Sequence, residues 1–228
     1  MSKCVTNTDN MRITELFNPG YTLVWEQLLE LEWPWEAIAL INSYVQEIGA
    51  TLDLTEYDIN EGNVWIHKTA KIAPSAFLGE NIIICEGTEV RHCAYIRKDA
   101  LIGKKAVIGN STELKNVILF DGVQVPHYNY VGDSILGYKS HLGAGVITSN
   151  VKSDSTLISV TCGEKRIKTG LKKFGAILGD FVEVGCNTVL NPGTVVGAKS
   201  NVYPLSMVRG FVPANSIYKK QGEITEKR

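Results

Sequence analysis

An aliphatic residue stands on every sixth position from Ile66 to Leu114 without a miss: Ile66, Ile72, Leu78, Ile84, Val90, Ile96, Ile102, Ile108 and Leu114. Four residues after each comes a small or β-branched side chain: Ala70, Ala76, Ile82, Thr88, Ala94, Ala100, Ala106, Thr112 and Ile118. A helix repeats about every 3.6 residues and a strand about every 2, so a sustained beat of six belongs to neither and marks a stacked hexapeptide solenoid. Each hexad supplies one short strand and one corner, and three hexads close a coil of about 18 residues. Inward residues then form ladders such as Ile66, Ile84 and Ile102, with coils roughly 4.8 Å apart, the ordinary strand spacing. Chance is a poor rival, because the chain is only 44% hydrophobic. The expected fold is mainly β, a parallel β-helix of hexapeptide repeats with an N-terminal helical region.

The beat sets the domain boundaries. Residues 1–60 read as a helical region and linker, with 1 to about 10 polar and loose. Helical spacing of Ile13, Leu16 and Phe17 ends at Asn18-Pro19-Gly20, and Pro34 to Gly49 carries a further apolar face with good start and stop residues. A packing and assembly role is expected for this region, as a cap on the first coil. The solenoid spans 61–212. After Leu114 the step shortens to five at Leu119 and again at Leu136, and from 151 to 170 the hexads vanish into a polar loop, a length that is usually functional or disordered. They resume at Leu178 and end at Val208, leaving a charged tail over 213–228.

Composition excludes several function classes. Lys+Arg 23 against Asp+Glu 24 gives a net charge of −1, so no global field points to nucleic acid or an anionic membrane. No stretch of about 18 apolar residues and no charged leader is present, which sets the expectation of a cytoplasmic protein without a membrane partner. Cys4, Cys85, Cys93, Cys162 and Cys186 are odd in number and contain no C-x-x-C pair, as expected of reduced thiols. No metal-ligand pattern stands out.

Polar residues that a solenoid core does not need gather between Arg97 and Asn150. Arg97 and Lys115 are one coil apart, which places two cations on the same wall. Like charges about 5 Å apart repel, and an anion such as a phosphate between them would relieve that. His127 falls two residues past the inward Val125, at or beside a corner, with its ring outside the core.

These residues resemble the acetyltransferase half of the bifunctional glucosamine-1-phosphate acetyltransferase and N-acetylglucosamine-1-phosphate uridyltransferase family. The match runs without a gap through Arg97, G-N-S-T-E-L-K (109 to 115), H-Y-N-Y-V-G-D (127 to 133), L-G-A-G (142 to 145) and Asn150. The resemblance implies a left-handed β-helix, a homotrimer with sites between subunits, and acetyl-CoA as donor to an amino-sugar phosphate. It further implies that Arg97 and Lys115 hold the sugar phosphate, that His127 is the general base, and that Tyr130 and Asn150 contact the sugar. Ala144, Asn150, Cys186 and Pro204 would line acetyl-CoA. An imidazole suits the task, since the attacking amine must lose a proton near neutral pH.

The chain also departs from that pattern. His141 stands where the family has an asparagine against the sugar. Cys186 replaces a serine, Pro204 replaces an alanine, and the loop from Lys152 to Gly170 replaces a short lysine-bearing segment. Residues 1–60 hold no Gly-rich phosphate loop, so no nucleotide-sugar synthesis is expected of them. A non-catalytic scaffold, or an acetyltransferase for another small amine or hydroxyl, is the alternative reading.

Overall fold

In the computed structural model, which describes residues 7–227, the six-residue beat becomes a parallel β-solenoid with three walls. The first wall stacks eight rungs: 64–66, 82–84, 100–102, 117–119, 135–136, 176–178, 194–196 and 211–212. The second wall stacks eight more, from Lys71–Ile72 up to Ser216–Lys220, and the third seven, from 77–78 up to Met207–Val208. Ile84, Val90, Ile96, Ile102, Ile108 and Leu114 are buried inside, as the beat predicts. Parallel pairing runs through Ser216–Lys220, past the boundary expected at residue 212, and Glu223–Glu226 folds back antiparallel on it. At the other end Tyr57–Asn60 pairs antiparallel with Val64–His67, inside the expected linker. Each reversed strand covers the edge of one wall, the first wall at the N-terminal end and the second at the C-terminal end, edges that would otherwise template further pairing.

The corner between the third and first walls turns through Asn63, Asn81, Asp99, Asn116 and Asp133, with φ of 58°, 57°, 52°, 55° and 49°. Asn and Asp tolerate this left-handed backbone better than other side-chain-bearing residues. Their side chains also bond vertically, Asn81 Nδ2 to Asp99 Oδ1 at 2.8 Å and Asn116 Nδ2 to Asp133 Oδ1 at 2.9 Å. One residue is lost here between coils: Ile96 pairs Leu114, but Ala100 pairs Val117. Lys115 therefore stands against the pair Arg97-Lys98 rather than one residue above one. The same deletion moves Ile118 off the inward +4 position. It pairs with Leu101, on the outer side of the wall.

That outer side decides where the N-terminal region goes. Ile83, Leu101, Ile118, Ile135, Ile177 and Val195 point away from the coil interior and are nevertheless completely buried. The helices Ile13–Leu16, Trp25–Leu29 and Ile41–Gly49, with the 3-10 turns Thr8–Met11 and Pro34–Ala39, run along this wall. Contacts mark the path: Asn18 to Asp180, the Asp121 N–H to the Tyr21 carbonyl, Asn116 to the Ile38 carbonyl, and Asn42 to Asp99. The region is a flank, not the end cap expected from the sequence. Each covered aliphatic side chain contributes about 1.5 to 3 kcal/mol, so the wall cannot be left wet. Residues 1–6, including Cys4, lie outside the described residues, and 8–10, expected to be loose, belong to the 3-10 turn Thr8–Met11, which Asn7 caps by accepting from the Asp9 N–H.

Residues 151–170 are likewise more ordered than a polar loop. Ser159–Cys162 and Lys165–Lys168 form an antiparallel hairpin turning at Gly163-Glu164, with Ile158 and Val160 buried. The excursion leaves at Asn150 and returns at Phe174, whose N–H donates to the Asn150 carbonyl at 3.0 Å. Phe174 packs 6.1 Å from Trp35, joining hairpin to flank. Among the described residues no helix is long and apolar enough to cross a membrane.

Candidate active site

The corner ladder ends in a polar cluster. Asp133, side chain 3% exposed, accepts from Lys115 Nζ at 2.9 and 3.2 Å and from Asn116 Nδ2. Asn150 Nδ2 donates to its second oxygen and also reaches Tyr130 Oη at 3.3 Å. Gly132 permits this arrangement, since a Cβ there would come within 2.6 Å of Tyr130 Oη and 3.0 Å of Asn150 Nδ2. Burial, and then the charges of Asp133 and Glu113, push the Tyr130 phenol up, so it remains a neutral donor.

The two cations differ in availability. Arg97 Nη1 lies 3.0 Å from Glu113 Oε1 with both side chains substantially exposed, a pair worth little and easily exchanged. Lys115 is only 15% exposed and is committed to Asp133. No bare pair of cations awaits an anion: each already faces a carboxylate, and only Arg97 can change partner at small cost.

His127 sits on a different corner, between the second and third walls, with its side chain exposed. Its N–H donates to Asn129 Oδ1 at 3.1 Å, and its carbonyl accepts from Gly145 N. Above it the same corner carries Ala144, whose carbonyl accepts from Asn187 N, then Cys186, whose carbonyl accepts from Leu205 N, beside Pro204. Four residues expected in one site, scattered from 127 to 204, thus form a single column on successive coils. Asn129, 2% exposed, stitches the column by donating to the carbonyls of Gly143 and Val146.

His141 is not part of this grouping. It projects from the second wall, between Gln124 and Glu183, with Nδ1 2.8 Å from Glu183 Oε2. Asn129, Asp133 and Glu113 partner the candidate side chains without having stood out in the sequence. Asp133 and Glu113 were legible as residues 18 and 16 positions from Lys115 and Arg97, within reach on neighbouring coils. Among the described residues no cluster of three or more His, Cys, Asp or Glu is placed to hold a metal ion.

Residues 80–202 match the family model described as the GMPPB C-terminal domain. A protein named Bifunctional protein GlmU from Methanococcus aeolicus is 32% identical over 206 residues, covering 79% of this chain and 49% of its own length. A bifunctional sugar-1-phosphate nucleotidylyltransferase/acetyltransferase from Sulfurisphaera tokodaii is 28% identical, covering 82% of this chain and 47% of its own. The chain spans about half the length of the curated relatives it matches. These relatives bear out the resemblance read from residues 97 to 150. A solved structure of a putative acetyltransferase from Bacillus cereus aligns at TM-score 0.45 and 16% identity, over 71% of this chain and 81% of that one.

If Asp133 is the acceptor on which Lys115, Asn116 and Asn150 converge, Asp133→Ala leaves a mostly buried ammonium unpaired. We expect a loss of about 3 kcal/mol, read as a lower denaturant midpoint. A change under about 0.5 kcal/mol, the range of ordinary surface positions, would contradict the assignment.

Proposed function

The chain belongs to the family of the GMPPB C-terminal domain, and from that premise we propose that it transfers the acetyl group of acetyl-CoA to the amine of an amino-sugar phosphate of the glucosamine-1-phosphate type. The observation that carries this reading is the corner column: exposed His127 at its foot, with Ala144, Cys186 and Pro204 above it on consecutive coils. Relatives that are named acetyltransferases add to it. Small side chains along one corner suit an extended thioester arm, and on the adjoining wall the Tyr130 hydroxyl is left to donate, and the Asn150 amide oxygen to accept, at sugar hydroxyls.

The residues divide the work. As the acceptor amine attacks the thioester carbonyl and the C–N bond forms, its proton passes to the His127 imidazole. The C–S bond then breaks, and the imidazolium returns the proton to the leaving thiolate. Asn129 holds the His127 backbone, so the ring is aimed by a buried side chain rather than by a mobile loop. Arg97 exchanges Glu113 for the acceptor phosphate. Lys115 stands behind it and acts through Asp133, which fixes Asn150.

We further propose a homotrimer. Phe77, Tyr95, Ile147 and Met207 line the outside of the third wall and are between 41% and 59% exposed, an apolar strip that closed symmetry would cover. A neighbour's second wall facing that strip would bring its own His141 toward Tyr130, completing a site that one protomer leaves divided.

The base assignment is tested with His127→Ala. Turnover with acetyl-CoA and glucosamine-1-phosphate, followed as thiol release, should fall by about 10² to 10⁴. The thermal midpoint should stay within a few degrees, because an exposed side chain contributes about 0.5 kcal/mol or less. A variant that keeps more than about a tenth of its turnover, with the wild type active, would rule His127 out as the base. Light scattering is expected to give three times the chain mass of 25.1 kDa, and a monomer at micromolar concentration would contradict the trimer.

A further inference from the structure

A cavity of about 740 Å³ opens at the corner between the second and first walls, on the opposite side of the second wall from His127. Neither His127, Tyr130 nor Asn150 lines it, and His141 is its only residue among those expected to handle acetyl transfer. Its size lies within the range of about 300 to 1,000 Å³ common to small-molecule sites.

Its charges do not all cancel. Lys104 Nζ is 3.7 Å from Glu86, and Glu183 is held by His141 at 2.8 Å. Asp121 accepts the Lys104 N–H, and burial pushes its carboxyl up, which weakens its claim on any cation. That leaves Lys105 and Lys139, neither of which has a carboxylate within ion-pair distance among the described residues. Both occupy the left-handed position of the corner, with φ of 54° and 53°, where Gly87 and Gly122 stand on the coils directly beneath them. Each lysine stem crosses that glycine: a Cβ at Gly122 would meet Lys139 Cγ at 3.0 Å, and one at Gly87 would meet Lys105 Cγ at 3.4 Å. The two backbones are two coils apart, roughly 10 Å.

An aromatic wall completes the cavity. Tyr21 from the N-terminal flank stacks on Tyr138 at 3.7 Å, and Phe181 meets Tyr138 edge-on at 5.3 Å. Phe181 is itself 39% exposed, a ring with an open surface beside two ammoniums that lack a carboxylate partner, the Lys139 one lying 5.1 Å over the Tyr138 ring.

We propose that this cavity binds a nucleoside diphosphate, its phosphates between Lys105 and Lys139 and its base against Phe181. Two ammoniums separated by two coils suit a diphosphate better than a single phosphate, and charge-assisted contacts to phosphate are the strong ones. Planar bases stack on aromatic faces regardless of their edge chemistry. The assignment does not depend on acetyl transfer, and its test uses no acetyl-CoA.

Calorimetric titration of the whole chain with uridine diphosphate, uridine and inorganic phosphate reads the proposal directly. Uridine diphosphate should bind, with uridine and phosphate each at least about tenfold weaker. Lys105→Gly and Lys139→Gly each remove an ammonium while relieving the left-handed backbone, at a column where glycine already stands on alternate coils. Each should weaken binding by about tenfold or more without lowering the thermal midpoint. Phe181→Ala should weaken uridine diphosphate and leave inorganic phosphate unchanged. No detectable binding of uridine diphosphate at millimolar concentration would overturn the proposal, as would unchanged binding in the Lys105→Gly/Lys139→Gly double variant. Inorganic phosphate binding as tightly as the nucleotide would overturn it as well.

Discussion

Most corners of this solenoid place one residue in the left-handed region, and at the third-to-first corner that residue is Asn or Asp five times in succession. The choice has consequences beyond sterics. Glycine would turn the corner more easily, but only a polar side chain can bond to the coil above, as the Asn81 amide donates to the Asp99 carboxylate and the Asn116 amide to Asp133. The same side chains anchor the N-terminal flank through Asn42 and the Ile38 carbonyl. At Asp133 the ladder becomes the support of the candidate site, holding Lys115 and Asn150. One backbone requirement thus joins coil stacking, flank docking and site geometry.

The division between a committed lysine and an exchangeable arginine follows from burial. A mostly buried ammonium without its carboxylate costs several times what an exposed guanidinium does. Lys115 is therefore suited to hold a shape, and Arg97 to meet a ligand. On the other corner, His127 is free of the core, and the buried Asn129 beneath it supplies the rigidity that the proposed role as base needs.

Much of this was legible in the sequence, and the limits have physical causes. The inward ladder from Ile66 to Leu114 declared the solenoid because burial leaves one phase aliphatic. The family resemblance, not spacing, brought His127, Ala144, Cys186 and Pro204 together: coil steps of 17 and 18 link His127 to Ala144 and Cys186 to Pro204, but the excursion puts 42 residues between Ala144 and Cys186. The outer ladder of Ile83, Leu101 and Ile118 was in plain view but unused: an apolar residue between two inward ones disappears into a continuous run. That ladder is what makes the N-terminal region a flank instead of a cap. The hairpin at Ser159–Lys168 was hidden because its strands are four residues each and one of them is KRIK, whose charges mask a single inward Ile167. Asp133 went unweighed because a carboxylate next to a corner reads as a turn former, and only coil pairing reveals the lysine opposite it.

The measurement that bears most directly on the whole account is mass-spectrometric detection of the product formed by the unmodified chain from acetyl-CoA and matched acceptors, glucosamine-1-phosphate beside glucosamine. The account predicts an N-acetylated sugar phosphate, formed at least about tenfold more efficiently than the unphosphorylated product, the share a charge-assisted contact from Arg97 would supply. Equal efficiency on both would contradict the phosphate contact, and no acetylated product from either would contradict acetyl transfer to an amino sugar.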